Sequence, residues 1–101
     1  MAVKVIIKRR IKEGKSRSVF SLLNKLRTDA MEQPGYIYGE TLINHDDPHE
    51  VVVIAMWQAL ENWLNWKENE LRQTNERQME QWLHGPSEIN TYVLGTYPHI
   101  S

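Results

Sequence analysis

The stretch YIYGETLINHDDPHEVVVIAMW, from Tyr36 to Trp57, decides the fold of this chain. Its first part, Tyr36 to Ile43, is rich in aromatic and β-branched residues and predicts a strand. Strict alternation sets Tyr36, Tyr38, Glu40 and Leu42 on one face and Ile37, Gly39, Thr41 and Ile43 on the other. Asn44 to His49 is a polar turn that contains Pro48. Val51 to Trp57 is the most apolar segment of the chain, and an unbroken run predicts a central strand covered on both faces. The short polar loop joins the two strands as an antiparallel hairpin.

Working outward, Val3 to Ile11 alternates β-branched residues with Lys4, Ile6 and Lys8, which predicts a first strand. Glu13-Gly14-Lys15 breaks it, and Ser16 or Ser18 can cap the helix that follows. Val19, Leu22, Leu23, Leu26, Ala30 and Met31 recur at helical spacing until Gln33-Pro34-Gly35 ends the run. Beyond the hairpin, Ala59 to Trp66 predicts a short helix whose apolar side carries Leu60, Trp63, Leu64 and Trp66. Lys67 to Leu83 predicts a longer, polar helix with few apolar marks: Leu71, Met79, Trp82 and Leu83. His84-Gly85-Pro86 stops it. Ile89 to Leu94 is the fourth strand. The order is strand, helix, strand, strand, helix pair, strand, which is the split β-α-β arrangement of an α+β, ferredoxin-like domain with an antiparallel four-stranded sheet. Helices cover one sheet face, and a second copy of the chain is expected to cover the other with two-fold symmetry.

A chain of 101 residues suits one domain, with a core of about 3–94 and an apolar arm at 95–101 that holds Tyr97 and Ile100. That arm is expected to cross onto the partner subunit. A net charge of −1 argues against a nucleic-acid binder. The absence of cysteine excludes disulfides, thiolate metal sites and a cysteine nucleophile. No signal peptide or membrane span is legible, so a cytoplasmic location is expected.

Several features coincide in order: Lys8-Arg9-Arg10-Ile11-Lys12-Glu13-Gly14-Lys15; Gln33-Pro34-Gly35-Tyr36 leading to Gly39-Glu40-Thr41; Asp46-Asp47-Pro48-His49-Glu50 before a strand ending in Trp57; then Trp63 and Trp66. Together they resemble the antibiotic biosynthesis monooxygenase (ABM) family, over roughly residues 3–94. The resemblance implies a dimeric α+β barrel. It also implies one of two chemistries: oxygenation of phenols or quinols without metal, flavin or haem, or the binding and degradation of haem.

Residue by residue, the resemblance sets Trp57 where the cofactor-free oxygenases carry a tryptophan at the end of strand three. An indole offers a flat apolar wall and one N–H donor. Trp57 can equally be a core residue, and the two roles can coexist. Trp63 falls where the family places another pocket aromatic, and Trp66 shares its helical face; both can also be plain helix packing. Arg72 resembles an arginine that the oxygenases aim into the pocket, where a guanidinium stabilises an anion. The alternative is a surface pair with Glu68 or Glu76. Val53 stands where the oxygenases have an asparagine. Gln73, with Lys8 or Arg9, stands where haem degraders have their histidine and asparagine, so haem is not expected.

Other residues are read on their own chemistry. Tyr36 and Tyr38 could enter the pocket or the dimer interface. Glu40 could pair with Lys8 or Arg10 or act as a buried base. Lys8-Arg9-Arg10 reads as a solvated strand end, and the polar stretch from Asn69 to Gln81 as a wet helix face or lid. His45, His49, His84 and His99 sit in turns or the tail, where no spacing predicts a metal site. The expectation is a cofactor-independent monooxygenase with molecular oxygen as co-substrate, acting on a quinol-like or polycyclic phenol. Trp57 and Arg72 would be catalytic, Trp63, Trp66, Tyr36, Tyr38 and Val53 would line the substrate, and Lys8 is a second candidate for charge stabilisation. The alternatives are a dimeric protein that binds a small hydrophobic aromatic molecule without turning it over, and, behind it, a haem degrader.

Overall fold

The structure, a computed structural model, describes residues 1–95. The expectation for the arm at Tyr97 and Ile100, and for His99, lies outside the described residues. Seven elements follow in the expected order: β1 (Val3–Arg10), α1 (Ser16–Met31), β2 (Tyr36–Ile43), β3 (Glu50–Trp57), α2 (Leu60–Lys67), α3 (Glu70–Glu80) and β4 (Glu88–Val93). The sheet order is β2-β3-β1-β4, with every neighbouring pair antiparallel. This is the ferredoxin-like α+β fold that the order of elements predicts.

The alternation along β1 buries Val3, Val5, Ile7 and Arg9 under the helices and turns Lys4, Ile6, Lys8 and Arg10 to the opposite face. Cross-strand register carries that division through the sheet. Val3 faces Trp57, Val5 faces Ala55 and Ile7 faces Val53, all on the helix side. The helices close over them with Val19, Leu22, Leu23, Leu26 and Ala30 of α1, Trp63 and Trp66 of α2 and Met79 of α3.

Several local expectations need correction. Neither Ser16 nor Ser18 caps α1; Lys15 stands at the cap position with no side-chain hydrogen bond, because the turn through Gly14 (φ 75°) already starts the helix at Ser16. Met31 is exposed at 63%, past the last turn that touches the sheet. Leu60, Leu64 and Leu71 are also exposed, so α2 buries only its two tryptophans. The long polar helix is two-thirds its expected length. It starts after Asn69, whose side chain accepts from the Leu71 N–H at 2.8 Å and caps it. A β-bulge between Tyr36 and Tyr38 breaks the alternation of β2: Tyr36 opposes Trp57 while Tyr38 opposes Met56. The two tyrosines therefore lie on opposite sides of the sheet.

Candidate active site

The cavity between sheet and helices is built from every layer. β1 contributes Ile7 and Arg9, β3 contributes Val53, Ala55 and Trp57, α1 contributes Leu23, Leu26, Arg27 and Ala30, β2 contributes Tyr36 and Gly39, and α2 and α3 add Trp63, Trp66, Arg72 and Glu76. Its volume is about 50 Å³, room for a few water molecules as it stands. Arg72 and Glu76 also line a second, wider cavity of about 450 Å³ bounded by Glu80, Leu83, Pro86 and Ile89. Their side chains are thus the wall between the two spaces.

One end of the cavity is aromatic. Tyr36 meets Trp57 edge to face, with ring centroids 5.2 Å apart and planes at 85°. Trp57 and Trp63 follow at 6.3 Å and 50°. Trp57 is fully buried, so it is both a core residue and a cavity wall, and its Nε1–H has no acceptor among the described residues. Gly39 lets this end close. A Cβ there would lie 2.5 Å from the Tyr36 hydroxyl, so a side chain at this position would displace the tyrosine. Burial pushes the Tyr36 phenol above its ordinary range, and the nearby Arg27 guanidinium offsets part of that rise. The hydroxyl therefore stays protonated at neutral pH and can donate.

The other end is charged. The Arg72 guanidinium stacks over Trp63 at 5.2 Å from the ring centroid. It reaches the Glu76 carboxylate at 3.5 Å and donates to the Lys67 carbonyl at 3.3 Å. Burial draws its pKa down from the usual arginine value, which the Glu76 charge opposes; the group remains a cation. Arg9, 4% exposed, donates from Nη2 to the same Glu76.

Of the residues that the sequence singles out, Trp57, Trp63, Trp66, Tyr36, Val53 and Arg72 come together in this cavity. Arg72 is buried, not a surface partner. Tyr38 does not line it, because the bulge turns it to the opposite face. Lys8 points to that opposite face as well and can stabilise no charge in the cavity. Glu40 finds no ion-pair partner among the described residues, since β3 lies between β2 and β1; Arg10 pairs instead with Asp47 at 2.7 Å. His45 is almost fully exposed beside Asp46 in the hairpin turn. Gln73 donates to the Lys67 carbonyl, and no histidine among the described residues lines the cavity, so these residues do not fit an axial ligand for haem iron. Among the described residues no group of three metal-binding side chains gathers.

The sequence reading takes Arg9 for part of a solvated strand end, which its 4% exposure corrects, takes Glu76 only for a surface partner of Arg72, and passes over Asn75. Arg9 continues the inward series Val3, Val5, Ile7, a signal hidden by its charged neighbours. Arg72, Asn75 and Met79 form the buried stripe of α3, and two of the three are polar. The expectation of a wet face there is wrong for that stripe.

Solved structures share this architecture. A candidate antibiotic biosynthesis monooxygenase of Nitrosomonas europaea superposes with a TM-score of 0.86 at 20% identity, covering 96% of this chain and 92% of that one. SnoaB, a cofactor-independent oxygenase from Streptomyces nogalater, matches with a TM-score of 0.83 at 14% identity over 97% of both chains. Rv0793 from Mycobacterium tuberculosis matches with a TM-score of 0.85 at 13% identity, covering 97% of this chain and 99% of that one. At such identities the likeness establishes the fold. Among curated protein sequences none is similar enough to match. The family model for the antibiotic biosynthesis monooxygenases matches residues 2–78, most of the chain, and with the sheet, the helices and the aromatic cavity already in place the protein belongs to that family.

Proposed function

We propose that the protein is a cofactor-independent monooxygenase that oxidises a quinol-like or phenolic aromatic molecule with molecular oxygen. The observation that carries this reading is the cavity itself: an apolar, aromatic slot with a buried cation, Arg72, at its far end. Its chemistry matches what such a reaction needs from a protein, namely desolvation, a fixed ring plane and stabilisation of an anion. The ring lies against Trp57 and Trp63. The phenol's proton passes to solvent water, which leaves an electron-rich carbanion or phenolate, and a proton returns to the peroxide formed in the next step. That anion gives its electrons to oxygen and forms a C–O bond to a peroxide. Loss of water then leaves a carbonyl. For a naphthol the balance is naphthol plus oxygen to naphthoquinone plus water, with no outside reductant. The cavity as it stands is too small for an aromatic ring, so ligand entry requires the Arg72–Glu76 wall to move and join it to the wider space.

The open face of the sheet supports a homodimer. Register places Ile6, Tyr38, Leu42, Val52, Ile54 and Met56 on that face, unaccompanied by any helix. An apolar sheet surface of this kind needs a cover, and a second copy of the chain supplies one. Among the described residues no helix is long and apolar enough to cross a membrane. A second reading, a binding protein without turnover, is favoured by one observation. Among the described residues Glu76 is the sole carboxylate lining the cavity, and Arg9 and Arg72 occupy it, which leaves no free carboxylate base there.

Oxygen uptake decides between them. With naphthols and quinols the unaltered protein should raise the rate well above the uncatalysed one, and Arg72→Met should lower it about 100-fold or more, as loss of one anion-stabilising donor does elsewhere. Binding without uptake leaves the binding-protein reading standing.

A further inference from the structure

The charged end of the cavity holds more positive charge than its partners balance. Arg9 and Arg72 are both buried, at 4% and 5% exposure, and among the described residues Glu76 is the only carboxylate paired with both. The cluster therefore carries a net charge of about +1 in a largely apolar space, which is costly unless an anion completes it. The hydrogen-bond inventory says the same. Arg9 lines the cavity, and its Nε and Nη1 find no acceptor among the described residues. The Trp57 Nε1–H at the aromatic end finds none either, nor does the Asn75 Nδ2 on the neighbouring helix face. These four atoms are donors, and the fifth buried unpartnered atom, Asp29 Oδ2, is an acceptor on a residue that does not line the cavity. A neutral phenol brings a hydroxyl that itself donates; a carboxylate brings only lone pairs.

We propose that Arg9, with Arg72 beside it, forms an anion subsite, and that the natural ligand is an aromatic carboxylate: a flat ring system against Trp57 and Trp63 with a carboxylate at the arginine end. The inference deepens the reading of the cavity as a ligand site and rests on it. The carboxylate is a handle, distinct from the carbon that reacts, and Arg9 is a binding residue.

Two probes of the same shape test this: 2-naphthoate, charged at neutral pH, and 2-naphthol, which stays neutral there. Titration calorimetry on the full chain should show the naphthoate binding about tenfold tighter or more, the scale of one charge-assisted contact. In Arg9→Met the ratio should fall to near one while naphthol affinity stays within about twofold. Arg9→Lys should keep part of the preference. The ratio in the unaltered protein stands by itself if Arg9→Met fails to fold. Equal affinities, or tighter binding of the naphthol, overturn the subsite and leave the aromatic cavity intact. A preference unchanged in folded Arg9→Met overturns the role of Arg9. Failure of both probes to bind overturns the cavity reading together with the subsite.

Discussion

The two faces of the sheet are made by the same strands and do opposite things. On the helix side, β1 shows Val3, Val5, Ile7 and Arg9, all buried; on the open side it shows Lys4, Ile6, Lys8 and Arg10. Arg9 and Arg10 are neighbours in sequence with the same side chain. Arg9 lies buried in the cavity against Glu76, while Arg10 forms a half-exposed pair with Asp47 at 2.7 Å. The lesson is that position on the pleat, more than residue type, determines what a charge can do. Inside, a guanidinium costs desolvation and can bind an anion strongly; outside, water screens it and it contributes little.

Substitutions at paired positions should break this comparison in order of size. The largest effect is expected for Trp57→Ala. It empties a fully buried site that touches Tyr36 and Trp63, and should lower stability by about 3–5 kcal/mol in denaturant unfolding. Next is Glu76→Ala, which leaves two buried guanidiniums facing each other. Removing one partner of a buried pair costs about 3–5 kcal/mol, and the partial exposure of Glu76 sets the expectation at the lower end. If the variant unfolds at the same denaturant concentration as the unaltered chain, Glu76 does not balance the two buried guanidiniums. On the open face, Ile54→Lys should leave the monomer folded and dissociate the proposed dimer, read as a halved mass in light scattering. Continued dimerisation would place the interface elsewhere.

The smallest effect belongs to the exposed pair. The Arg10 guanidinium beside Asp47 holds that carboxyl below the usual carboxylate range. A depressed folded-state pKa stabilises the fold above the unfolded value, about 4. The benefit is then lost as pH falls through the folded value. Asp47→Asn should therefore match the unaltered chain in strong acid and fall slightly below it at neutral pH. A large gap at neutral pH would show that the outer pair is less screened than its exposure implies.

How much of this was legible in the sequence depends on which physical signal each part used. The strands were legible because burial there follows a period of two and falls on β-branched residues. Trp57, Trp63 and Trp66 were legible because large aromatics are rarely left in water. Tyr38 was misplaced because a bulge adds one residue without leaving any mark in composition, and one residue is enough to change sides. The stripe on α3 kept helical spacing through Arg72, Asn75 and Met79, but polar side chains carried it, so a pattern sought in hydrophobicity did not show it. Arg9 had the right alternation and was obscured by the charges on either side. What the sequence hid, then, was polar burial, which only a partner elsewhere in the chain can reveal.

The stack of Arg72 on Trp63 has an optical consequence. Indole emission responds to nearby charge and to water, and three of the four tryptophans, Trp57, Trp63 and Trp66, line the cavity, while Trp82 packs partly buried against the core elsewhere. A molecule that slides between the rings and draws the guanidinium toward itself changes the surroundings of most of the emitters at once. The protein thus carries its own reporter of occupancy, and its fluorescence spectrum would record filling of the site without any label.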